Sequence, residues 1–214
     1  MSGINQAFWN RFAGIYPLFM KRNDRAYDAV SEHIRPVLAQ EMRVLELACG
    51  TAQMTRRLSG GVKEWTATDY APNMVAEARK RFSAANVAYQ VADATALPFA
   101  DSAFDAALIA NALHVMPDPE AALREIRRVL KAGGLLIAPT FVYEPGYRKA
   151  PIWLAERVGF RTFHKWSAAE LAAFVRAHGY QVESAWLVKG YPLSECVLTA
   201  RTALKQGENG HDDP

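Results

Sequence analysis

The 214-residue chain has few of the features that mark several classes of protein. Its two cysteines, Cys49 and Cys196, are too few for a disulfide framework or a cysteine-rich metal site, so we expect no metal centre. Lys and Arg exceed Asp and Glu by only three, 25 against 22, and the longest basic run is Arg79-Lys80-Arg81. Because the positive charge is scattered, we expect no binding to nucleic acid.

Long apolar runs are absent as well, since no stretch reaches the about 18 residues of a membrane-spanning helix. Residues 1–12 lack the basic start and apolar core of a secretory signal peptide. The chain also has no internal repeat and no low-complexity linker. These absences predict a cytoplasmic protein with one main domain and no integral membrane segment.

The most informative segment that is present is residues 44–55, with the sequence VLELACGTAQMT. An apolar, strand-like run that carries Glu46 leads through small residues into a helical run. Small residues let the backbone approach a ligand, and the N–H groups at a helix N-terminus face an anion. Asp69 follows a second strand-like run, at the distance typical of an acid that binds a ribose diol. The loop lacks the complete G-x-G-x-x-G pattern, so a dinucleotide phosphate site is the weaker interpretation.

Hydrophobic patterning along the middle of the chain predicts alternating strands and helices. Asp118 is the predicted N-cap of one helix, and Gly133 and Gly134 are predicted to end it. Repeated strand–helix–strand units of this length predict a parallel sheet with helices on both faces. The predicted strands are 43–48, 64–69, 87–92, 104–110 and 134–141, and the predicted helices are 52–59, 72–83 and 118–130.

The two ends of the chain differ from this pattern. Residues 1–40 are predicted to form a helical segment whose aromatic face either docks on the core or covers the active site as a lid. Near the other end, a capping box at 167–170 begins a helix that is followed by strands 180–188 and 194–201. The short turn between these strands makes them antiparallel. We therefore expect a lid segment 1–40, a main domain 41–204 and a disordered tail 205–214.

Four ordered motifs resemble those of the class I S-adenosylmethionine-dependent methyltransferases, and most closely the small ubiquinone/menaquinone-methyltransferase-like group. The resemblance implies a Rossmann-like, doubly wound α/β fold with a seven-stranded, mostly parallel sheet and a C-terminal antiparallel β-hairpin. It also implies S-adenosyl-L-methionine as cofactor. The motifs are VLELACGTA at 44–52, ATDYAPNMVAEARKR at 67–81, VADATALPFADSAFDAALIANALHVMPDP at 91–119 and REIRRVLKAGGLLIAPT at 124–140.

The same resemblance implies a set of cofactor-binding residues. Asp69 would bind the ribose hydroxyls, Asp93 and the N–H of Ala94 the adenine, and Glu46 would lie near the ammonium of the methionine part. Each acid also has a structural alternative, since carboxylates commonly cap helices, turns and free backbone N–H groups. The further implied contacts are Tyr16, Ala48, Gly50, Thr51, Tyr70, Met74 and Asn111.

One departure from the family pattern lies in the first loop, where Ala48 and Ala52 replace two of three glycines. Alanine disfavours the positive φ that such loops require. A protein that binds S-adenosylmethionine without transferring its methyl group is therefore the alternative function. A nicotinamide-dependent reductase is a second alternative, which the loop and the terminal hairpin disfavour.

The implied reaction is a direct in-line displacement onto a small, partly hydrophobic acceptor: a quinone-like ring, a phenol, a thiol or an amine. His114, just beyond the fourth predicted strand, is the candidate base or orienting group, with a pKa near 6.5 if it is unperturbed. A lone histidine is also commonly structural. Residues 142–166 would cover the acceptor or form a small core of their own, and we expect a monomer or homodimer. The residues of this insert that could line an apolar acceptor pocket are Tyr143, Tyr147, Trp153, Phe160 and Phe163.

Overall fold

The computed structural model describes residues 3–14, 24–145, 147, 161–190 and 193–203. Within that part of the chain, seven strands form one sheet in the order β3-β2-β1-β4-β5-β7-β6. The strands are β1 (Arg43–Leu47), β2 (Glu64–Asp69), β3 (Val87–Val91), β4 (Phe104–Ile109), β5 (Leu130–Val142), β6 (Tyr180–Val188) and β7 (Ser194–Thr202).

Six α-helices among the described residues connect and cover these strands. The side chain of Asp118 caps the fifth by accepting a hydrogen bond from the Ala121 N–H at 2.8 Å, as predicted. The predicted capping box of Ser167 and Glu170 begins the sixth. The helices are α1 (Gly3–Phe12), α2 (Asp24–Ile34), α3 (Thr55–Leu58), α4 (Pro72–Arg81), α5 (Pro119–Val129) and α6 (Ala168–Ala177).

The sheet is parallel from β3 to β5, and β7 runs antiparallel to both β5 and β6. The predicted fold class, including the terminal antiparallel hairpin, is confirmed. Strand order reverses between β1 and β4, since the chain moves outward from β1 to β3 and then returns to the other side. In open α/β sheets, ligands bind at such a reversal, beside the carboxyl ends of the strands.

Both faces of the sheet are buried at its central strands. Leu45 and Leu47 of β1 pack on one face with α5 and α6, whereas Val44 packs on the other face with α2. Alternate residues of a strand point to opposite faces, so one short strand contributes to two hydrophobic layers. This burial holds the carboxyl ends of β1, β2 and β4 in fixed positions.

The predicted start of the fifth strand is wrong. The helix ends at Val129, and β5 begins at Leu130, four residues before the predicted position. Gly133 and Gly134 therefore lie inside the strand and do not end the helix. Gly133 has a φ of 71°, and the pairing of β4 with β5 shifts register nearby, so the glycines accommodate an irregularity in the strand.

Some predicted features fall outside the described residues. These include the predicted tail 205–214, most of the insert 142–166, and the side chains of Tyr16, Trp153 and Phe160. The predicted helix 52–59 is shorter in the structure, where regular α-helix covers Thr55–Leu58. No helix among the described residues is long and apolar enough to cross a membrane.

Candidate functional site

A cleft opens where β1, β2 and β4 end, at the reversal of strand order. It encloses about 710 Å³ of space not occupied by atoms, part of which is open solvent. Several of the predicted cofactor contacts line it, namely Ala48, Gly50, Asp69, Tyr70, Met74, Ala94 and Asn111.

The loop after β1 forms the floor of the cleft and repeats one backbone conformation. Ala48, Gly50 and Ala52 have φ values of 52°, 53° and 67°, so both alanines adopt the left-handed conformation that glycine prefers. This conformation costs an alanine about 1–2 kcal/mol. The two alanines that stand in place of glycines therefore keep the same loop conformation, and their backbone is strained.

Replacing Ala48 with glycine is expected to raise the free energy of unfolding by about 0.5–1 kcal/mol, because glycine relieves the strained φ at a small cost in unfolded-state entropy. The matched control is Ala76→Gly, at an exposed position of α4, which should lower stability by about 1 kcal/mol. Urea denaturation measures both. A similar loss of stability in the two variants would contradict the strain.

Asp69 ends β2 and is 9% exposed. Its Oδ2 accepts a hydrogen bond from the Gly50 N–H at 2.9 Å, and its Oδ1 accepts one from the Ala71 N–H at 2.8 Å. Burial raises the pKa of Asp69 to about 6, although these two N–H groups lower it. A carboxylate has about four acceptor sites, so Asp69 can hold the first loop and still accept two hydroxyl donors from the cleft.

Asp93 performs a structural task in the turn after β3. Its Oδ1 accepts hydrogen bonds from the N–H and the hydroxyl of Thr95, at 2.9 and 2.7 Å. Burial raises its pKa, but hydrogen bonds that include those from Thr95 bring it below the ordinary value. The neighbours Ala92 and Ala94 line the cleft, whereas Asp93 is not among the lining residues.

Glu46 is buried at 1% exposure, beside the cleft and not in its lining. Its Oε2 accepts the hydroxyl of Thr55 at 2.6 Å and the indole N–H of Trp65 at 2.7 Å. Burial raises the pKa of Glu46 to about 7. The partners of Glu46 are thus two side chains. The alternative that Glu46 caps free backbone N–H groups does not match these contacts. Thr51 is buried as well and does not line the cleft.

Helix α1 covers one side of the cleft. Trp9 lines the opening together with Tyr70 and Met74, and the Gln6 amide donates a hydrogen bond to the Tyr70 carbonyl at 2.9 Å. Asn10 accepts two hydrogen bonds from Asn73 at the start of α4, one from the backbone N–H and one from the side-chain amide. Trp9 was not among the predicted site residues, although its aromatic face was the signal for the proposed lid.

The opposite wall contains Asn111, which follows β4 with a φ of 53°. Its Nδ2 donates to Oε1 of Glu195 at 2.9 Å, and its buried Oδ1 has no partner among the described residues. Glu195 is 3% exposed, and burial raises its pKa to about 7. Sequence reasoning missed Glu195, although it carries the same signal as Glu46: one acid inside an apolar strand.

His114 lies in a short 3₁₀ turn beyond β4 and is 2% exposed. Its ring stands edge-on to Phe141, with centroids 5.8 Å apart, and its carbonyl accepts the N–H groups of Phe163 and His164. Val115 and Met116 line the cleft, whereas His114 does not. Burial and the nearby His164 lower the pKa of His114 to about 4, well below the 6.5 of an unperturbed histidine.

The cleft fits the adenosine part and the polar end of S-adenosylmethionine on two observations. A buried carboxylate, Asp69, faces it beside backbone that only small side chains flank. The buried Oδ1 of Asn111, which has no partner within the described ranges, supplies a second acceptor in the same wall. An unpaired buried acceptor is costly, so a donor from a bound molecule would offset that cost.

Comparisons with known proteins agree with this geometry. A family model described as a methyltransferase domain matches residues 45–138. The chain is 36% identical over 166 residues to a demethylmenaquinone methyltransferase of Thermus thermophilus, covering 75% of this chain and 72% of that protein.

Two further similarities differ in extent. A ubiquinone/menaquinone biosynthesis C-methyltransferase of Desulfotalea psychrophila is 38% identical over 94 residues, which cover 43% of this chain and only 38% of that protein. The solved 1,6-didemethyltoxoflavin-N1-methyltransferase of Burkholderia thailandensis superposes with a TM-score of 0.74 at 18% identity, covering 94% of this chain and 88% of that one. At that identity, the second likeness concerns the fold alone.

Proposed function

This chain belongs to the S-adenosylmethionine-dependent methyltransferase family, and we propose that it methylates a small, partly hydrophobic acceptor with a quinol-like ring. The observation that carries the proposal is the cleft at the strand reversal, with the buried Asp69 at its base. The relatives that are named demethylmenaquinone methyltransferases support a quinol over a thiol or an amine.

The bound cofactor supplies a methyl group on a sulfonium, which needs no further activation. The protein's task is then to position two molecules and to exclude water. Asp69 would accept hydrogen bonds from the ribose hydroxyls. Tyr70 and Met74 would form an apolar wall for the adenosine. Asp93 and Ala94 stay our proposal for the adenine end, and Glu46, Thr51 and Tyr16 for the polar end.

His114 belongs to the acceptor side of this proposal. With a pKa of about 4 the neutral imidazole is a weak base at physiological pH, so we assign His114 an orienting role and not the uptake of a proton. Its contact with Phe141 and its carbonyl contacts to 163–164 would hold the wall against which the acceptor lies.

The test combines a cofactor titration with a transfer assay. Calorimetry should detect S-adenosylmethionine binding, and labelled methyl groups should appear on a reduced naphthoquinone in preference to a phenol, a thiol or an amine. Binding without transfer to any of these acceptors would favour the alternative, a protein that binds S-adenosylmethionine without catalysis.

Size-exclusion chromatography tests the predicted monomer or homodimer, and cell fractionation tests the predicted cytoplasmic location.

Removal of residues 1–17 tests the proposed lid. Since α1 meets the core through Trp9, Gln6 and Asn10 at the edge of the cleft, its loss should spare the fold and reduce turnover by about tenfold or more. Circular dichroism and the transfer assay measure the two effects. Trp9→Ala is the milder companion variant. If the shortened chain fails to fold, the segment is part of the core and the lid is refuted.

A further inference from the structure

A second, smaller cavity lies beyond Asn111, at the same edge of the sheet as the cleft. It is enclosed by α2, the end of β5 and the turn between β6 and β7. Glu195 pairs with Phe141 across the β5–β7 ladder, and both residues line the cavity. Ala26, Val188, Lys189 and Leu193 complete most of its wall. Asn111 therefore connects the cofactor cleft with this cavity, because it lines the first and binds a side chain that lines the second.

The side chain of Glu195 is almost without polar partners. Among the described residues, its one hydrogen bond comes from Asn111, and it forms no salt bridge. A carboxylate that is 3% exposed and has no cationic partner in the described part of the chain destabilises the folded protein. A merely structural role would not require a carboxylate, since a glutamine oxygen could accept the same bond from Asn111. The presence of a carboxylic acid therefore indicates that Glu195 has a chemical role.

The surroundings of the carboxyl group are apolar on the side of the cavity. Phe141, Val188 and Leu193 supply ring and aliphatic surface, and Lys189 at the rim is the charged side chain that joins Glu195 among the described lining residues. Such a site suits a flat apolar ring with one hydroxyl directed at Glu195. It does not suit a small, fully hydrated molecule.

We propose that Glu195 accepts a proton from a hydroxyl of the acceptor, and that the cavity beside it holds the hydroxyl-bearing part of a phenol or hydroquinone ring. This inference rests on the proposed methyl transfer and names the residue that ionises the acceptor. His114, whose ring contacts Phe141, keeps the orienting role.

The proton and electron balance is complete for methylation of a ring carbon. The hydroxyl proton moves to Glu195, and the electron pair left on oxygen makes the ortho carbon nucleophilic. A C–C bond forms to the methyl group as the S–CH₃ bond breaks, and that bond's electron pair stays on sulfur. The ring C–H proton then leaves to solvent, and Glu195 returns its proton to the oxygen, so one proton is released per turnover.

The charged and titratable groups around Glu195 leave it able to act as a base near neutral pH, since burial raises its pKa to about 7. On β7 its neighbour is Cys196, a thiol whose pKa burial raises to about 11, so it stays neutral. Beyond β4 the facing group is the neutral amide of Asn111. Helix α2 contributes Ala26, β5 contributes Phe141, and the β6–β7 turn contributes Lys189.

The first experiment measures binding of 2-naphthol without any methyl donor, by quenching of tryptophan fluorescence. The wild-type affinity should weaken at least about threefold from pH 8 to pH 6, because the protonated carboxyl is the weaker acceptor for the naphthol hydroxyl. Glu195→Gln should show weak binding at both pH values. Glu183→Gln, at an exposed position on β6, is the matched control and should behave like wild type.

The second experiment follows transfer to a phenol or hydroquinone against pH. Glu195→Gln should lose about 100-fold in kcat at pH 7 and recover most of it as the pH approaches the pKa of the acceptor, since solvent then ionises the hydroxyl. His114→Asn should show a loss that does not depend on pH. A purely structural role of Glu195 would likewise give a constant loss and would overturn the inference.

The two experiments separate this inference from the proposed function. Wild-type protein that transfers to no acceptor refutes the proposed function, and 2-naphthol binding then still decides the role of Glu195. Transfer by Glu195→Gln within threefold of wild type at pH 7 overturns the inference while the function stands. If Glu195→Gln fails to fold, the pH dependence of 2-naphthol binding to the wild-type protein decides. A constant affinity between pH 6 and pH 8 would show that no group ionising in this range accepts the naphthol hydroxyl, and would refute the inference.

Discussion

Replacing Asp69 with alanine is expected to weaken S-adenosylmethionine binding by roughly 1.5–3 kcal/mol, about 10- to 150-fold in Kd. The variant loses the carboxylate that would accept the ribose hydroxyls. It also leaves the N–H groups of Gly50 and Ala71 without their acceptor, so the loop at the base of the cleft loses its support. Isothermal titration calorimetry on the folded variant gives the affinity.

A second variant separates the two roles of Asp69. Asp69→Asn keeps the size of the side chain and one acceptor oxygen, so it should retain part of the loop structure and lose most of the charge-assisted binding. Unchanged affinity in a folded Asp69→Ala protein would show that the carboxylate only caps the loop.

The affinity should also depend on pH in a defined direction. Because burial raises the pKa of Asp69 to about 6, the side chain is a carboxylate at pH 8 and is protonated at pH 5. Cofactor binding should therefore weaken as the pH falls through 6, and Asp69→Asn should remove most of this dependence.

Replacing His114 with asparagine is expected to reduce the transfer rate by about 100-fold or more and to leave cofactor affinity nearly unchanged. The histidine ring is fixed against Phe141 at the wall beyond β4, and its buried Nδ1 has no partner among the described residues. A buried unpaired nitrogen costs about 1–3 kcal/mol, so retaining the imidazole is expensive unless it orients a bound group. Rate and affinity are measured on the same variant.

His114→Phe is the control for packing alone, because it keeps an aromatic ring beside Phe141 and removes both nitrogens. If this variant retains the rate, the ring acts only by filling space. A rate within threefold of wild type in His114→Asn would make the histidine structural. Since its pKa is about 4, no step in turnover at pH 6.5 should arise from His114.

Local sequence signals predicted most of the fold. The apolar run of β1, the small-residue loop and the acid at the end of β2 are all close in sequence. Each of them can be interpreted from the few residues around it. The capping residues Asp118 and Ser167 also predicted their helix starts correctly. The start of β5 was predicted wrongly because a glycine pair ends many helices, whereas here Gly133 allows an irregular strand.

The candidate site was predicted in part, for a similar reason. Asp69, Gly50 and Met74 line the cleft as expected, since they follow directly from strand ends and the first loop. Glu46 and Asp93 were also predicted to contact the cofactor, yet Glu46 is hydrogen-bonded to two neighbouring side chains and Asp93 to its own turn. Which acid faces a ligand depends on the direction of a side chain, which periodicity does not determine.

The sequence by itself determined the alternation of strands and helices, the family resemblance and the position of the first loop, because these follow from short-range patterns of polarity and small residues. Only the tertiary structure determined the features that depend on long-range contacts. It joined Asn111 to Glu195, which are 84 residues apart, and buried His114 so deeply that its pKa falls to about 4. Burial and partner choice are properties of the packed chain, since they depend on which distant residues displace water from each polar group.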